Sequence, residues 1–170
     1  MKRVIIFLVI IVLIILVILG VIMFSKKEVN IKDIKSFRYH YTMGTAFNAD
    51  VSYELNCDSE CIALVKAYGE AEEDAKEYNV NSEFVSKLLD ILNKYNVGSW
   101  DNFNESDTMV LDGDSFSISI SSSDKNYSAT GYMRWPKDYA KVKEEVNELF
   151  SSLKWGVWDV WCIRNWTLNT

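Results

Sequence analysis

Residues 4–24 constrain this chain more than any other stretch. They read VIIFLVIIVLIILVILGVIMF, without a charge or a strong polar side chain. At about 1.5 Å per helical residue the run reaches about 31 Å, the thickness of a bilayer's hydrocarbon core. The expectation is one transmembrane helix over 4–24, with residues 1–3 as a cytoplasmic tail and the rest of the chain hung from it. Met1, Lys2 and Arg3 would also suit the start of a cleaved signal peptide. A cleaved segment, however, has a shorter apolar region of about 7–15 residues and ends in a small-x-small site. This one ends in the bulky Val21, Ile22, Met23 and Phe24, and the first cysteine, which a lipoprotein would need directly after the run, is Cys57. The run therefore reads as an uncleaved anchor. Lys2 and Arg3 before it and Lys26 and Lys27 after it nearly balance the positive-inside count. The very short leading tail and the large trailing domain favour the N-terminus inside and the domain outside the cell.

Beyond the anchor 146 residues remain, enough for one domain with its own core. That part holds 16 basic and 24 acidic side chains, a net charge of about −8. Such a surface speaks against nucleic acid, which needs a basic patch, and against electrostatic docking on anionic lipid. The cysteines are Cys57, Cys61 and Cys162, with His40 the single histidine. Zinc sites use four ligands in paired spacing, so no metal and no cofactor is expected. On an oxidising side, Cys57 and Cys61 would close a disulfide around Asp58-Ser59-Glu60. Free thiols are the competing reading, and both stay open.

Residues 25–35 (SKKEVNIKDIK) read as a polar stalk. Phe37, Tyr39, Tyr41 and Met43 then alternate with polar residues, as in a half-buried strand. Phe47 to Leu55 alternates again, and Cys61 to Tyr68 gives a third strand of an antiparallel meander. Gly69 to Asn79 is acidic and weakly patterned, which reads as a solvated linker rather than a cation patch. Asn81 or Ser82 can cap a helix whose Phe84, Leu88, Ile91, Leu92 and Tyr95 share one face. Asn96 or Gly98 can end it in the left-handed conformation. Trp100 to Asp112 reads as a loop with two aromatic anchors. A hairpin of Phe116, Ile118 and Ile120 with Tyr127 to Met133 follows, with Gly131 marking a bulge or a close approach. Pro136 suits the first position of a second helix, striped by Tyr139, Val142, Val146, Leu149 and Phe150. The expected fold is an α+β domain over 36–152, of order β-β-β-α-β-β-α, with an antiparallel sheet carrying both helices on one face.

WDNF at Trp100, VLDGDSFSISI at Val110 and GYMRWP at Gly131, followed by a helix ending in LF, resemble a family of small bacterial domains. In that family a W-x-x-F loop follows a helix, a D-G turn opens a hairpin, and the hairpin closes at G-x-x-x-x-P. The resemblance spans about residues 37–150 and implies this fold behind a membrane or lipoprotein anchor. It implies no catalytic residues. Phe116 stands where tryptophan is common in the pattern, and everything after Ser152 lies outside it.

Asp101, Glu105, Asp107, Asp112 and Asp114 crowd one stretch. Asp112-Gly113-Asp114 could ligate calcium, or a pair among Asp107, Asp112 and Asp114 could serve hydrolysis. The spacing does not match an EF-hand loop, and D-G is also an ordinary turn before a strand. His40 lacks a matching serine or cysteine context and reads as a surface residue. Three glycosylation-type tripeptides begin at Asn104, Asn126 and Asn165, a match that an Asn- and Ser-rich chain throws up by chance. The tail, residues 153–170, carries Trp155, Trp158, Trp161 and Trp166. It could lie on the bilayer interface, cover the domain, or meet a partner. The leading expectation is thus a single-pass, membrane-anchored envelope protein with a binding or interaction domain outside the cell. Its partners would be the bilayer, through residues 4–24, and an envelope component. The alternatives are an envelope-polymer hydrolase using loop carboxylates and a membrane-tethered cytoplasmic domain.

Overall fold

A computed structural model describes residues 28–44, 50–66, 70–71 and 74–154. The expected transmembrane helix, the tail beyond Lys154 and Cys162 lie outside the described residues. Among the described residues, no helix is long and apolar enough to cross a membrane.

Seven strands form one sheet: β1 (Ser36–Thr42), β2 (Asp50–Cys57), β3 (Cys61–Lys66), β4 (Lys76–Val80), β5 (Phe103–Ser106), β6 (Ser115–Ser121) and β7 (Asn126–Tyr132). Their spatial order is β4-β3-β2-β1-β6-β7-β5. The β1–β2–β3 meander and the β6–β7 hairpin follow the alternation of the sequence. Register places Phe37 opposite Leu55 and Ile120, and Tyr39 opposite Tyr53 and Ile118. Because side chains alternate across a strand, one face therefore collects the apolar set while the other keeps Arg38, Glu54, Ser117 and Ser119.

Both helices cover that apolar face. In α1 (Ser82–Lys94), Asn81 caps the start: its side chain accepts from Phe84 N at 3.1 Å. Phe84, Leu88 and Leu92 are buried, and Asn96 ends the helix at φ 52°, in the left-handed region. A 3₁₀ turn (Val97–Trp100) then buries Trp100. In α2 (Tyr139–Ser151), Tyr139, Val142, Val146 and Phe150 are buried. The Phe150 ring stacks on Tyr53 at 4.8 Å and on Phe37 at 5.9 Å and meets Phe84 edge-on at 5.2 Å. It thereby joins both helices to two strands.

Five expectations need correction. The sheet is mixed, because β5 pairs in parallel with β7. The stretch read as a linker holds all of β4 but Val80, and the stretch read as a loop contains β5. Both are edge strands: β4 (KEYNV) buries no side chain fully and β5 (FNES) only half-buries Phe103. A strand with little to bury carries no alternation to detect. Pro136 does not open α2. It precedes the cap residue Asp138 by two positions, and Tyr139 N donates to its carbonyl. Finally, residues 28–35 are not a free stalk. Ile31 and Ile34 are buried, Val29 N donates to Asn96 Oδ1, and Ile31 exchanges two hydrogen bonds with the Asn93 amide.

Candidate functional site

The ends of β1 and β6 and the start of α2 bring together side chains that lie far apart in the sequence. β1 and β6 pair Tyr41 with Phe116. Gly131, opposite Phe116, lets the chain after β7 fold tightly back: a Cβ there would lie 2.2 Å from Arg134 O and 2.5 Å from the Phe116 ring. That close approach seats Trp135 over Phe116 and Tyr139, with ring centroids 5.6 and 4.7 Å away. Trp135 remains 38% exposed, so it forms a ledge and not a core residue.

A cleft lies on each side of the ledge. One, of about 510 Å³, is bordered by Tyr41, Asp114, Trp135, Tyr139 and Lys143. The other, of about 450 Å³, is bordered by Tyr95, Asn96, Ser99, Phe103, Glu105 and Trp135. Both volumes fall in the range of small-molecule sites, and Trp135, Pro136 and Asp138 are common to the two.

The first cleft has a defined polar arrangement. Tyr41 OH donates to Asp114 Oδ2 at 2.5 Å, and Gly44 N donates to Asp114 Oδ1 at 3.2 Å. Lys143 Nζ sits 3.2 Å from the Tyr41 ring centroid, a cation–π contact. Burial pushes the Lys143 ammonium below the ordinary lysine range, while the Asp114 charge opposes that shift. Beneath the ledge the Tyr139 and Tyr39 hydroxyls lie 2.8 Å apart. Burial pushes both phenols well up, so both stay neutral.

The sequence candidates fare unequally. Asp114 borders the first cleft, with both carboxylate oxygens engaged. Asp107 instead holds its own loop, accepting from Met109 N and pairing with Arg134 at 3.1 Å. Asp112 is exposed to solvent. Asp101 pairs with Lys125 at 2.7 Å and accepts from Ser128 N, and the Lys125 bond holds its carboxyl low. Among the described residues no three His, Cys, Asp or Glu side chains converge on a metal-sized space. His40 lies on the polar sheet face, where Thr42 Oγ1 (3.1 Å) and Asp50 Oδ2 (4.0 Å) both approach its Nε2. A triad needs the acid on the other ring nitrogen, so this is not one. Asp50 instead pairs with the buried Lys66 at 2.6 Å, which holds its carboxyl low.

Cys57 and Cys61 face each other across the β2–β3 hairpin, Cα atoms 4.1 Å apart, and form a disulfide. The sequence pattern does not mark Trp135, Tyr41 or Lys143 as site residues. Only a tryptophan directly before a proline, in a connection between strand and helix, hinted at Trp135. Nothing in the local pattern links it to Tyr41 or Lys143.

The arrangement offers flat ring faces, a fixed carboxylate and a half-buried ammonium, and among the described residues Ser99 is the one serine, histidine or cysteine bordering either cleft. No protein-family model matches the chain, and no curated protein matches it.

Proposed function

We propose that this is a non-enzymatic binding module of a bacterial envelope, held in the membrane by residues 4–24 with its domain outside the cell. The observation that carries the binding reading is the half-exposed Trp135 ledge between two clefts. An aromatic ring kept partly exposed at a built cleft is the usual signature of a contact surface. The apolar run supports the anchor, and the Cys57–Cys61 disulfide supports the placement outside, where disulfides persist. The resemblance to small anchored bacterial domains belongs to the same proposal.

A second reading, an envelope-polymer hydrolase, has one observation in its favour: Asp114 borders a cleft. Against it, hydrolysis needs one carboxyl held protonated near a second that is ionised. Among the described residues the carboxyls of Asp33, Asp50, Glu83, Asp101, Asp124 and Glu145 are held low by cations or donors.

The test is co-sedimentation of the full chain, in mild detergent, with purified bacterial sacculi. Wild-type protein is expected in the pellet and Trp135→Ala in the supernatant, with far-UV circular dichroism unchanged. Equal sedimentation of the two proteins would remove the ledge from the account. Release of soluble sugar fragments by the wild type, abolished in Asp114→Asn, would replace binding by hydrolysis.

A further inference from the structure

We propose that the two clefts flanking Trp135 hold one linear saccharide whose carboxylate pairs with Lys143. This rests on the reading of the ledge as a binding site and assigns its ligand class.

Three observations lead there. The clefts are open and share the Trp135–Pro136 ridge, so the surface is continuous from Lys143 on one side to Ser99 on the other. A ridge between two open clefts fits a chain that runs past the site, whereas a single small molecule is normally enclosed. The ridge is also a flat apolar platform, with Trp135 stacked on Tyr139 at an interplanar angle of 21°. A sugar ring has an apolar C–H face to set on such a platform and hydroxyls around its edge. Asp138 borders both clefts and Asn96 and Ser99 border the second, so polar side chains lie beside the platform.

Lys143 decides the charge. It is half-buried over Tyr41, and among the described residues it makes no salt bridge. Asp114, whose charge acts on Lys143, makes no ion-pair contact with it and is held by Tyr41 OH and Gly44 N. Lys141, by contrast, is paired with Asp138 at 2.9 Å. One partly desolvated ammonium, lacking an ion pair, is stabilised by an anion that the ligand brings. A phosphate group would ask for more than one unpaired cation or an arginine fork; of the two lysines bordering this cleft, Lys141 is already paired with Asp138. A single carboxylate matches. Two acids border the same cleft, Asp114 held by Tyr41 OH and Gly44 N and Asp138 paired with Lys141, while acids beyond about 8 Å are largely screened at physiological salt.

The experiment titrates the full chain in detergent micelles with two disaccharides, followed by tryptophan fluorescence and calorimetry. The acidic probe is N-acetylglucosaminyl-N-acetylmuramic acid, and the neutral probe is diacetylchitobiose, which lacks the lactyl carboxylate. The acidic probe is expected to bind at least about tenfold more tightly, the weight of one charge-assisted hydrogen bond. Lys143→Met keeps the aliphatic stem on Tyr41, and with it the two probes should bind equally. Lys143→Arg should restore the preference. Equal affinity for both probes, unchanged in Lys143→Met, would overturn the carboxylate assignment. If Trp135→Ala still abolished that binding, the ledge reading would survive. No binding of either probe would overturn the saccharide assignment, and sacculus sedimentation would then judge the ledge by itself.

Discussion

The tether between residues 28–35 and α1 makes a sharp prediction. Asn93 offers its side-chain carbonyl to Ile31 N at 2.8 Å and its amide to Ile31 O at 2.9 Å, so one side chain replaces a strand partner for a buried residue. Asn93→Ala removes both bonds, each worth about 1 kcal/mol. It also strands a backbone donor and an acceptor beside Ile31, which is 1% exposed. Partial desolvation of those groups brings the expected cost to about 3 kcal/mol. For a domain of this size that lowers the Tm by about 10 °C. Asp90→Ala, exposed on the same helix, is the control and should fall within about 0.5 kcal/mol of wild type. The assay is urea unfolding of the full chain in mild detergent, followed by near-UV circular dichroism. An Asn93→Ala cost no larger than that of the control would mean that residues 28–35 do not dock. The consequence reaches function. With residues 4–24 as the proposed anchor, Phe24 and Val29 are five residues apart, at most about 18 Å. A docked segment would then fix the Asn96 side of the second cleft close to the bilayer, and an undocked one would leave the ledge free to swing.

Phe150 is fully buried among Phe37, Tyr53 and Phe84, so Phe150→Ala should cost about 3–5 kcal/mol by the same unfolding assay; a value below about 1 kcal/mol would contradict this packing. Tyr39, Tyr53 and Tyr139 are all pushed above the ordinary tyrosine value by burial. Below about pH 10 their neutral state is shared by the folded and unfolded chains, and that stability is fully present. Above it the unfolded chain sheds protons that the folded one keeps, so stability should fall by up to about 1.4 kcal/mol per pH unit for each group. Native-state titration of these three phenols at 295 nm near pH 10 would contradict it.

Much of the fold was legible because most of it is amphipathic. Phe37, Tyr39 and Tyr41 alternate, Phe84, Leu88 and Leu92 recur at helical spacing, and each pattern states both the element and its buried face. The two edge strands were not legible, since Lys76–Val80 and Phe103–Ser106 bury too little to leave a pattern. The docking of Ile31 and Ile34 was hidden for another reason. Two isoleucines among lysines look like a stalk until Asn93 and Asn96 supply their backbone partners. The candidate site was legible only at Asp114 and Glu105. Tyr41, Trp135 and Lys143 meet because β1 pairs with β6 and because Gly131 admits the close turn after β7, and neither fact is local. The crowding of acids from Asp101 to Asp114 misled for the converse reason. Nearness along the chain dissolved once β5 and the following loop set Asp101, Asp107 and Asp112 in separate surroundings.

The central claim is a binding face presented outside the cell, and labelling of intact cells tests it most directly. The chain to use carries Cys162→Ser, so that only Cys57 and Cys61 report, and the reagent is a membrane-impermeant maleimide. The account predicts no labelling before reduction and labelling of intact cells after reduction by an impermeant phosphine. Labelling that appears only once the cells are lysed would put the domain in the cytoplasm and contradict the account.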